Sequence, residues 1–348
     1  MKKTLTILTL IIFLFGCLLS CEITDLHIHR FDDWTIIKDA NCYEEGLKSR
    51  FCECGKQQTD AIATIDHNYI DGVCSYCGKR KDLLDNEKIY VRDGEYILFG
   101  EYPQTIKADN VSITDTVDSR GYYLGSDGFY YAKIKATPCT SYYTFTTGNV
   151  IDGGVIYYFK IEPIRWRILN EENGEAFLLC DSIIANHRFD ENSNNYAESE
   201  IRAWLNSTFY DTAFNEFAKD LILTTEVDNS VRSTNPHDDS NYWNNGVNRH
   251  VCENTNDNVF LLSEEEVTNS SHGFEMYTSD KARVMVVTDY ARAIGSQMNT
   301  AGVGWWFLRS PSYEGSQIAR GVINDGQVQR ISVNGPREGV VPAIKIRL

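Results

Sequence analysis

Short apolar runs separated by turn residues dominate the chain after about residue 90. Tyr96-Ile97-Leu98-Phe99-Gly100, Val155 to Phe159, Trp166 to Leu169 and Ala176 to Leu179 are each too short for a buried helix, and Asn, Gly and Glu punctuate the stretches between them. That pattern predicts strands joined by turns. Two segments keep a helical period instead: Ser199 to Phe209 spaces Ile201, Trp204, Leu205 and Thr208, and Thr212 to Leu223 spaces Ala213, Phe217, Leu221 and Ile222. Ser263-Glu264-Glu265-Glu266 has the form of a helix start, with Ser as the cap and Glu three residues on. Asp289 to Ile294 is a further short helical candidate. Strands and a few helices sharing one core predict an α+β domain over residues 90–348.

The first twenty residues follow another pattern. Lys2 and Lys3 precede an apolar run from Leu5 to Phe15, and no other segment is long and apolar enough to span a bilayer. This reads as an export signal, residues 1–20, to be left out of fold reasoning. Its end, Leu18-Leu19-Ser20-Cys21, resembles the lipobox of bacterial lipoproteins, in which cleavage before the Cys leaves its thiol to carry a lipid. Leu14-Phe15-Gly16-Cys17 is a second candidate with a bulkier residue at the penultimate position, so Cys21 is preferred. The expected location is the cell envelope, with a lipid anchor in the membrane, on either the periplasmic or the outer side.

Charge narrows the partners. The 348 residues carry 33 basic and 49 acidic side chains, a formal net charge of −16. That balance argues against nucleic acid, whose phosphates need clustered Lys and Arg, and against a basic patch on anionic lipid. Loss of Lys2 and Lys3 on cleavage makes the chain more acidic still, so a tethered body is held off anionic head groups.

The 10 cysteines are distributed unevenly. Five fall in residues 22–80, as Cys42, Cys52-Glu53-Cys54-Gly55 and Cys74-Ser75-Tyr76-Cys77-Gly78, with His67 seven positions before Cys74. Cys-x-x-Cys-Gly is a zinc-knuckle spacing: the turn aims two thiolates at one ion, and Gly relieves crowding after the second. Cys42, Cys52, Cys54, His67, Cys74 and Cys77 are the candidate metal ligands. Cys54, His67, Cys74 and Cys77 form the most economical tetrahedral set, and His27 and His29 are spare donors. Disulfides are the competing reading, since an exported chain meets oxidising conditions. Against it, five is odd and a Cys52–Cys54 bridge would be strained. Residues 81–89 are charged and read as a linker. Only Cys139, Cys180 and Cys252 remain beyond it, and Cys180, within Phe177-Leu178-Leu179-Cys180, reads as a buried inert thiol.

Six motifs in order carry a resemblance over about residues 94–346. They are Phe99-Gly100-Glu101-Tyr102-Pro103-Gln104-Thr105, Pro163-Ile164-Arg165-Trp166-Arg167-Ile168-Leu169, Ile201-Arg202-Ala203-Trp204-Leu205-Asn206, Val259-Phe260-Leu261-Leu262-Ser263, Trp305-Trp306-Phe307-Leu308-Arg309-Ser310-Pro311 and Gly339-Val340-Val341-Pro342-Ala343. Together they resemble a bacterial family of unknown biochemical function with a C-type-lectin-like fold, whose structural relatives include the formylglycine-generating enzymes. A narrower likeness is to the variable surface lipoproteins of treponemes, targets of diversity-generating retroelements. Gly121-Tyr122-Tyr123-Leu124-Gly125-Ser126-Asp127-Gly128 and Ser230-Val231-Arg232-Ser233-Thr234-Asn235-Pro236 add to it. The Cys/His segment, with Trp34 before it, resembles small zinc-ribbon-like repeats of bacterial surface proteins.

The resemblance implies a fixed frame with a ligand-binding face between the Trp pair and the last strand. Candidate binding residues there are Tyr313, Glu314, Gln317, Asn324, Asp325, Gln327, Gln329, Arg330 and Ser332, polar positions interleaved with Ile318, Ala319, Val322, Val328, Ile331 and Val333. Tyr, Ser, Asn and Gln suit adaptable recognition. Trp305, Trp306 and Arg309 read as structural: adjacent strand residues point to opposite faces, so one Trp fills the core, and Arg309 holds a carboxylate or carbonyl. The expected ligand is a protein or a glycan. No catalytic residues are assigned: the reactive cysteine pair of the formylglycine-generating oxidases has no counterpart, since no Cys follows residue 252, and His187, His237, His250 and His272 are scattered. A non-catalytic binding protein is the first reading. A purely structural envelope lipoprotein is the second, and an enzyme related to those oxidases the third.

Overall fold

A computed structural model describes residues 29–42, 45–65, 69–70, 73–74, 90–234, 248–276 and 279–348. These fall into two compact units, one containing 29–42 and 45–65, the other the rest. The export signal, Cys21 and the 81–89 segment lie outside the described residues.

The first unit is an antiparallel sheet of β1 (Thr35–Lys38), β2 (Gly46–Phe51) and β3 (Gln57–Ile62), in that order. Few of its side chains are buried, Ser49 and Cys52 among them. Arg50 stacks over Trp34 with its guanidinium carbon 4.5 Å from the ring centroid, and Lys48 lies 4.9 Å from the same ring. A sheet this small buries too little apolar surface to be stable on its core alone.

The second unit is mostly β-sheet with a few short helices. After a two-residue ladder of β4 (Tyr69–Ile70) and β5 (Val73–Cys74) come β6 (Tyr90–Asp93), β7 (Tyr96–Ile106), β8 (Ile113–Val117), β9 (Tyr123–Gly125), β10 (Tyr130–Lys135), β11 (Ile156–Glu172), β12 (Glu175–Cys180) and β13 (Ala185–Asn186). They are followed by β14 (Thr225–Val227), β15 (Thr255–Asp257), β16 (Trp306–Pro311), β17 (Ile318–Val322), β18 (Val328–Ser332), β19 (Gly339–Val340) and β20 (Ala343–Arg347). An eight-stranded sheet runs β20-β12-β11-β10-β9-β8, with β7 on β11 and β6 on β7. A five-stranded sheet runs β13-β19-β16-β17-β18.

The two runs read as separate strands, Val155–Phe159 and Trp166–Leu169, belong to one 17-residue strand, β11. Its buried positions change phase: Phe159 and Ile161, then Ile164 and Trp166, then Leu169. The register against β7 slips between Phe159 and Ile161 and between Pro163 and Arg165, each time with the extra residue on β7, and the register against β12 slips between Ile168 and Asn170, with the extra residue on β11. A bulge adds one residue and moves the following side chains to the opposite face, which breaks the alternation a sequence reader looks for. Gln104 covers the slip at Pro163, its Nε2 donating to Glu162 O at 3.0 Å and Pro163 O at 2.9 Å.

The first expected helical segment runs past its predicted end, and the second is shorter than its period predicts. Backbone from Glu200 to Ala213 is helical, interrupted by a π turn at Leu205–Phe209, and buries Ile201, Leu205, Phe209 and Ala213. The expected helix from Thr212 is broken: Phe214 is extended and Asn215 caps a new helix, Glu216–Leu221, by accepting from Ala218 N at 2.9 Å. The break lets the Phe214 ring reach Phe99 and Trp166, at centroid distances of 5.3 and 6.3 Å. Gly100 makes room: at φ +66° a Cβ there would stand 2.6 Å from the Phe214 ring. Ser263 and Glu266 do exchange bonds, Ser263 N to Glu266 Oε2 at 2.8 Å and Glu266 N to Ser263 Oγ at 3.1 Å, but only one 3-10 turn, Glu266–Thr268, follows. The helix at Asp289–Ala293 matches its expected span, with Thr288 as cap.

The motif segments brace one another. Asn206 Oδ1 accepts from Asn258 N and Val259 N, Phe260 bonds to Ala343 in both directions, and Arg309 N donates to Leu262 O at 2.9 Å. Trp166 and Trp306 are fully buried, and each indole N–H finds a carbonyl, Phe99 O at 2.8 Å and Arg283 O at 3.1 Å. Trp305 is partly buried against the same core. Among the described residues no helix is long and apolar enough to cross a membrane.

Candidate functional site

The β17–β18 hairpin displays the candidate face. Its pairs alternate: Ala319 opposite Ile331 and Gly321 opposite Gln329 turn one way, while Ile318 opposite Ser332, Arg320 opposite Arg330 and Val322 opposite Val328 turn the other. Ala319 and Ile331 are buried, which makes Ile318, Ser332, Arg320 and Arg330 the outer face; nearer the tip the division is lost, with Val322 buried and Gln329 partly exposed. The loop at its tip is closed by Ile323 N to Gln327 O at 3.0 Å and Gly326 N to Ile323 O at 2.9 Å. Gly326 sits at φ +83° with Asp280 O only 2.0 Å from where a Cβ would be, and its carbonyl accepts from Arg283 Nε at 2.7 Å. The hairpin is therefore pinned at its tip to the core.

Residues 311–317 border the outer face of this hairpin and leave two adjoining depressions. One, of about 670 Å³, is lined by residues 314–318 with Arg330 and Ser332. The other, of about 320 Å³, is lined by residues 311–314, Arg320 and residues 328–330. Glu314 and Arg330 line both, and they form an ion pair that divides one depression from the other. Arg330 and the Tyr313 hydroxyl hold the Glu314 carboxyl below its ordinary range, and Glu314 raises the Arg330 guanidinium in turn.

Of the nine residues expected on this face, Tyr313, Glu314, Gln317, Gln329, Arg330 and Ser332 line the depressions. Asn324, Asp325 and Gln327 line neither and sit at the hairpin tip. There Asp325 Oδ1 accepts from Gln327 N at 3.0 Å, and Gln327 bonds to Ser279 and Gln329. Two residues that the sequence reading did not single out belong to the site. Arg320 lines the smaller depression, and Glu264 holds it from below with two bonds, Nε to Oε2 at 2.7 Å and Nη2 to Oε1 at 2.9 Å.

A second cluster lies in the first unit. The ligand atoms of His29, Cys52 and Cys54 all lie within 4.8 Å of one another, and this group could hold a metal ion. The turn at Cys52-Glu53-Cys54-Gly55 is built by Gly55 N to Cys52 O at 2.7 Å and Cys52 N to Lys56 O at 2.9 Å. His29 Nδ1 is 3.3 Å from Cys54 Sγ, and Lys56 Nζ is 3.3 Å from His29 Nε2. Ammonium only donates, so with Nε2 accepting from Lys56 the neutral ring carries its proton on Nδ1 and donates it to Cys54; ligation of an ion through Nδ1 requires that proton to move to Nε2 and Lys56 to let go of it. Two sulfurs and one imidazole supply three of the four donors that a tetrahedral thiophilic ion takes. This differs from the expected set. His29 enters as a primary donor. Cys42 is half-buried outside the group, Cys74 is in β5, and His67 and Cys77 lie outside the described residues. Cys42, Cys52, Cys54, Cys139, Cys180 and Cys252 are not in disulfides.

The remaining candidates serve the frame. Cys180 is fully buried, and desolvation pushes its thiol up to about 12. His187 stacks on Trp204 at 5.1 Å, His272 packs edge-on against Phe177 at 5.4 Å, and the His250 backbone N–H donates to Asn248. His237 lies outside the described residues. A family model described as "Domain of unknown function (DUF6273)" matches residues 173–348, which covers β12 through β20. No curated protein and no solved structure matches the chain.

Proposed function

We propose, for a chain that belongs to the DUF6273 family of unknown function, that it is a lipid-anchored surface protein of the bacterial envelope which binds a ligand without catalysis. In this reading Cys21 carries the lipid, and the first unit is a zinc-stabilised spacer. The second unit is a C-type-lectin-like domain whose C-terminal hairpin face takes a protein or glycan. The observation that carries the binding role is the gathering of Tyr313, Glu314, Gln317, Gln329, Arg330 and Ser332 around two adjoining depressions. Gln329, Arg330 and Ser332 stand on a hairpin anchored to the core through Ala319, Ile331 and the Arg283–Gly326 bond, and Tyr313, Glu314 and Gln317 on the loop that borders it. A rigid frame under polar, adaptable side chains is what selective recognition needs.

Glycan and envelope-protein arrays probed with the wild type and with a Tyr313→Ala/Gln317→Ala/Arg330→Ala variant test the binding face. All three positions are at least partly exposed, so the variant should fold and lose the array signal. Undiminished binding would place the ligand elsewhere on the molecule. For the anchor, Cys21→Ser should move the protein from the membrane fraction to the soluble fraction, and retention with unchanged mass would sink the lipobox reading.

A further inference from the structure

We propose that Arg320 and Arg330 form a site for a single sugar carboxylate, a hexuronic-acid-type ligand entering the smaller depression. This deepens the reading of the hairpin as a binding face and rests on it. The two arginines are direct cross-strand partners on the outer face, and both line that depression. Like charges directly opposite in a sheet are unfavourable, so the arrangement asks for an anion between them.

The carboxylates already present meet that need unequally. Glu264 is almost buried and fixes Arg320 through two bonds, 2.7 and 2.9 Å, which leaves Arg320 Nη1 without a protein acceptor among the described residues. Glu314 holds Arg330 through Nη1 alone, and the two side chains are 33% and 51% exposed, leaving Nε and Nη2 of Arg330 without an acceptor among the described residues. An exposed pair of this kind contributes little to stability, so Glu314 is an exchangeable occupant. A ligand carboxylate can take its place on Arg330 and accept from Arg320 Nη1 as well, a planar anion held by two guanidinium groups.

The rest of the lining points to a sugar. Tyr313 offers an aromatic ring beside the arginines, and Gln329, partly exposed, offers an amide for hydroxyl groups. A volume of about 320 Å³ is enough for one pyranose. The adjoining depression of about 670 Å³ on the far side of Glu314 has Ser316, Gln317 and Ser332 along it, room for the neighbouring sugars. A net charge of −16 repels polyanions at a distance, which favours a ligand with one carboxylate at a time over a highly sulfated chain.

Calorimetric or NMR titration of the full chain in detergent with D-glucuronate, D-glucose and N-acetylglutamate amide tests this. Glucuronate should bind at least about tenfold more tightly than glucose, a difference of roughly 1.4 kcal/mol. Arg330→Gln and Arg320→Gln should each remove that preference. Glu314→Gln should strengthen glucuronate binding several-fold, because the internal competitor is gone; a merely structural Glu314 would not give that gain. Equal binding of glucuronate and glucose, or weaker binding in Glu314→Gln, overturns the proposal. Tighter binding of N-acetylglutamate amide than of glucuronate overturns the sugar assignment in favour of an acidic peptide. A neutral array ligand lost in the Tyr313/Gln317/Arg330 variant would leave the binding face standing and remove only the carboxylate site.

Discussion

Arg309 grips Glu266 with two nitrogens, Nη1 to Oε2 at 2.5 Å and Nη2 to Oε1 at 3.1 Å, where Arg309 is 1% exposed. The same guanidinium donates to Leu261 O at 2.7 Å and Asp228 O at 3.1 Å. One side chain on β16 thereby ties together the Asp228 loop, the Leu261–Ser263 segment and the turn at Glu266. Removing one member of such a pair strands a buried charge.

Arg309→Met should therefore destabilise the large unit by about 3–5 kcal/mol, while Arg309→Met/Glu266→Leu should recover part of that loss. Denaturant midpoints of the three proteins decide it. A single variant with a wild-type midpoint would mean that Arg309 holds nothing the fold needs.

The same pair gives stability a pH dependence. Burial alone would raise the Glu266 carboxyl, but the charge and hydrogen bonds of Arg309 outweigh it and hold the group below its ordinary value of 4.5. A carboxylate whose folded value is depressed adds stability that is fully present above 4.5 and is lost as pH falls through the lower folded value. The melting temperature should fall on acidification below that point, and Glu266→Gln should flatten the fall. Equal acid slopes for the two proteins would assign the acid sensitivity to other carboxylates.

The strands and the end of the chain were readable because their apolar residues alternate or cluster between turn signals. Tyr96–Gly100 and Ala176–Leu179 lie inside β7 and β12. β11 was not readable as one strand because its buried positions change phase twice, after Ile161 and after Trp166, beside register slips against both β7 and β12. The helix over Thr212–Leu223 failed for a tertiary reason, the demand of the core for the Phe214 ring. On the hairpin, Arg320 had a signal that went unused. Asp325-Gly326 marks the turn, and counting back from it by pairs sets Arg320 opposite Arg330. Glu264 had none, since it reaches Arg320 from a segment 56 residues away in sequence.

Gly326→Ala tests whether the hairpin tip controls the face. A Cβ at φ +83° is strained in itself, and here it would also strike Asp280 O. A loss of more than about 1 kcal/mol is expected from the backbone conformation alone. Relief of the clash must move the tip away from Arg283, whose Nε bond to Gly326 O anchors it. Array or glucuronate binding should weaken together with stability, though Gly326 lines neither depression. Unchanged binding at lowered stability would show that the site tolerates movement of the tip.

The group of His29, Cys52 and Cys54 predicts a metal dependence confined to the first unit. With a ring nitrogen of His29 and two thiols converging, the proposed zinc would find three of its four donors here, and its binding would add stability to this small sheet. Purified full-length protein should contain about one equivalent of zinc by elemental analysis, consistent with a single site. Cobalt substitution should give the intense visible bands of a tetrahedral thiolate site. His29→Ala and Cys54→Ser should each lower the metal content and make β1–β3 protease-sensitive, whereas Cys139→Ser, in the other unit, should change neither. Full thiol titration of Cys52 and Cys54 in native protein, with no bound metal after exposure to zinc, would leave the group as a hydrogen-bonded turn and nothing more.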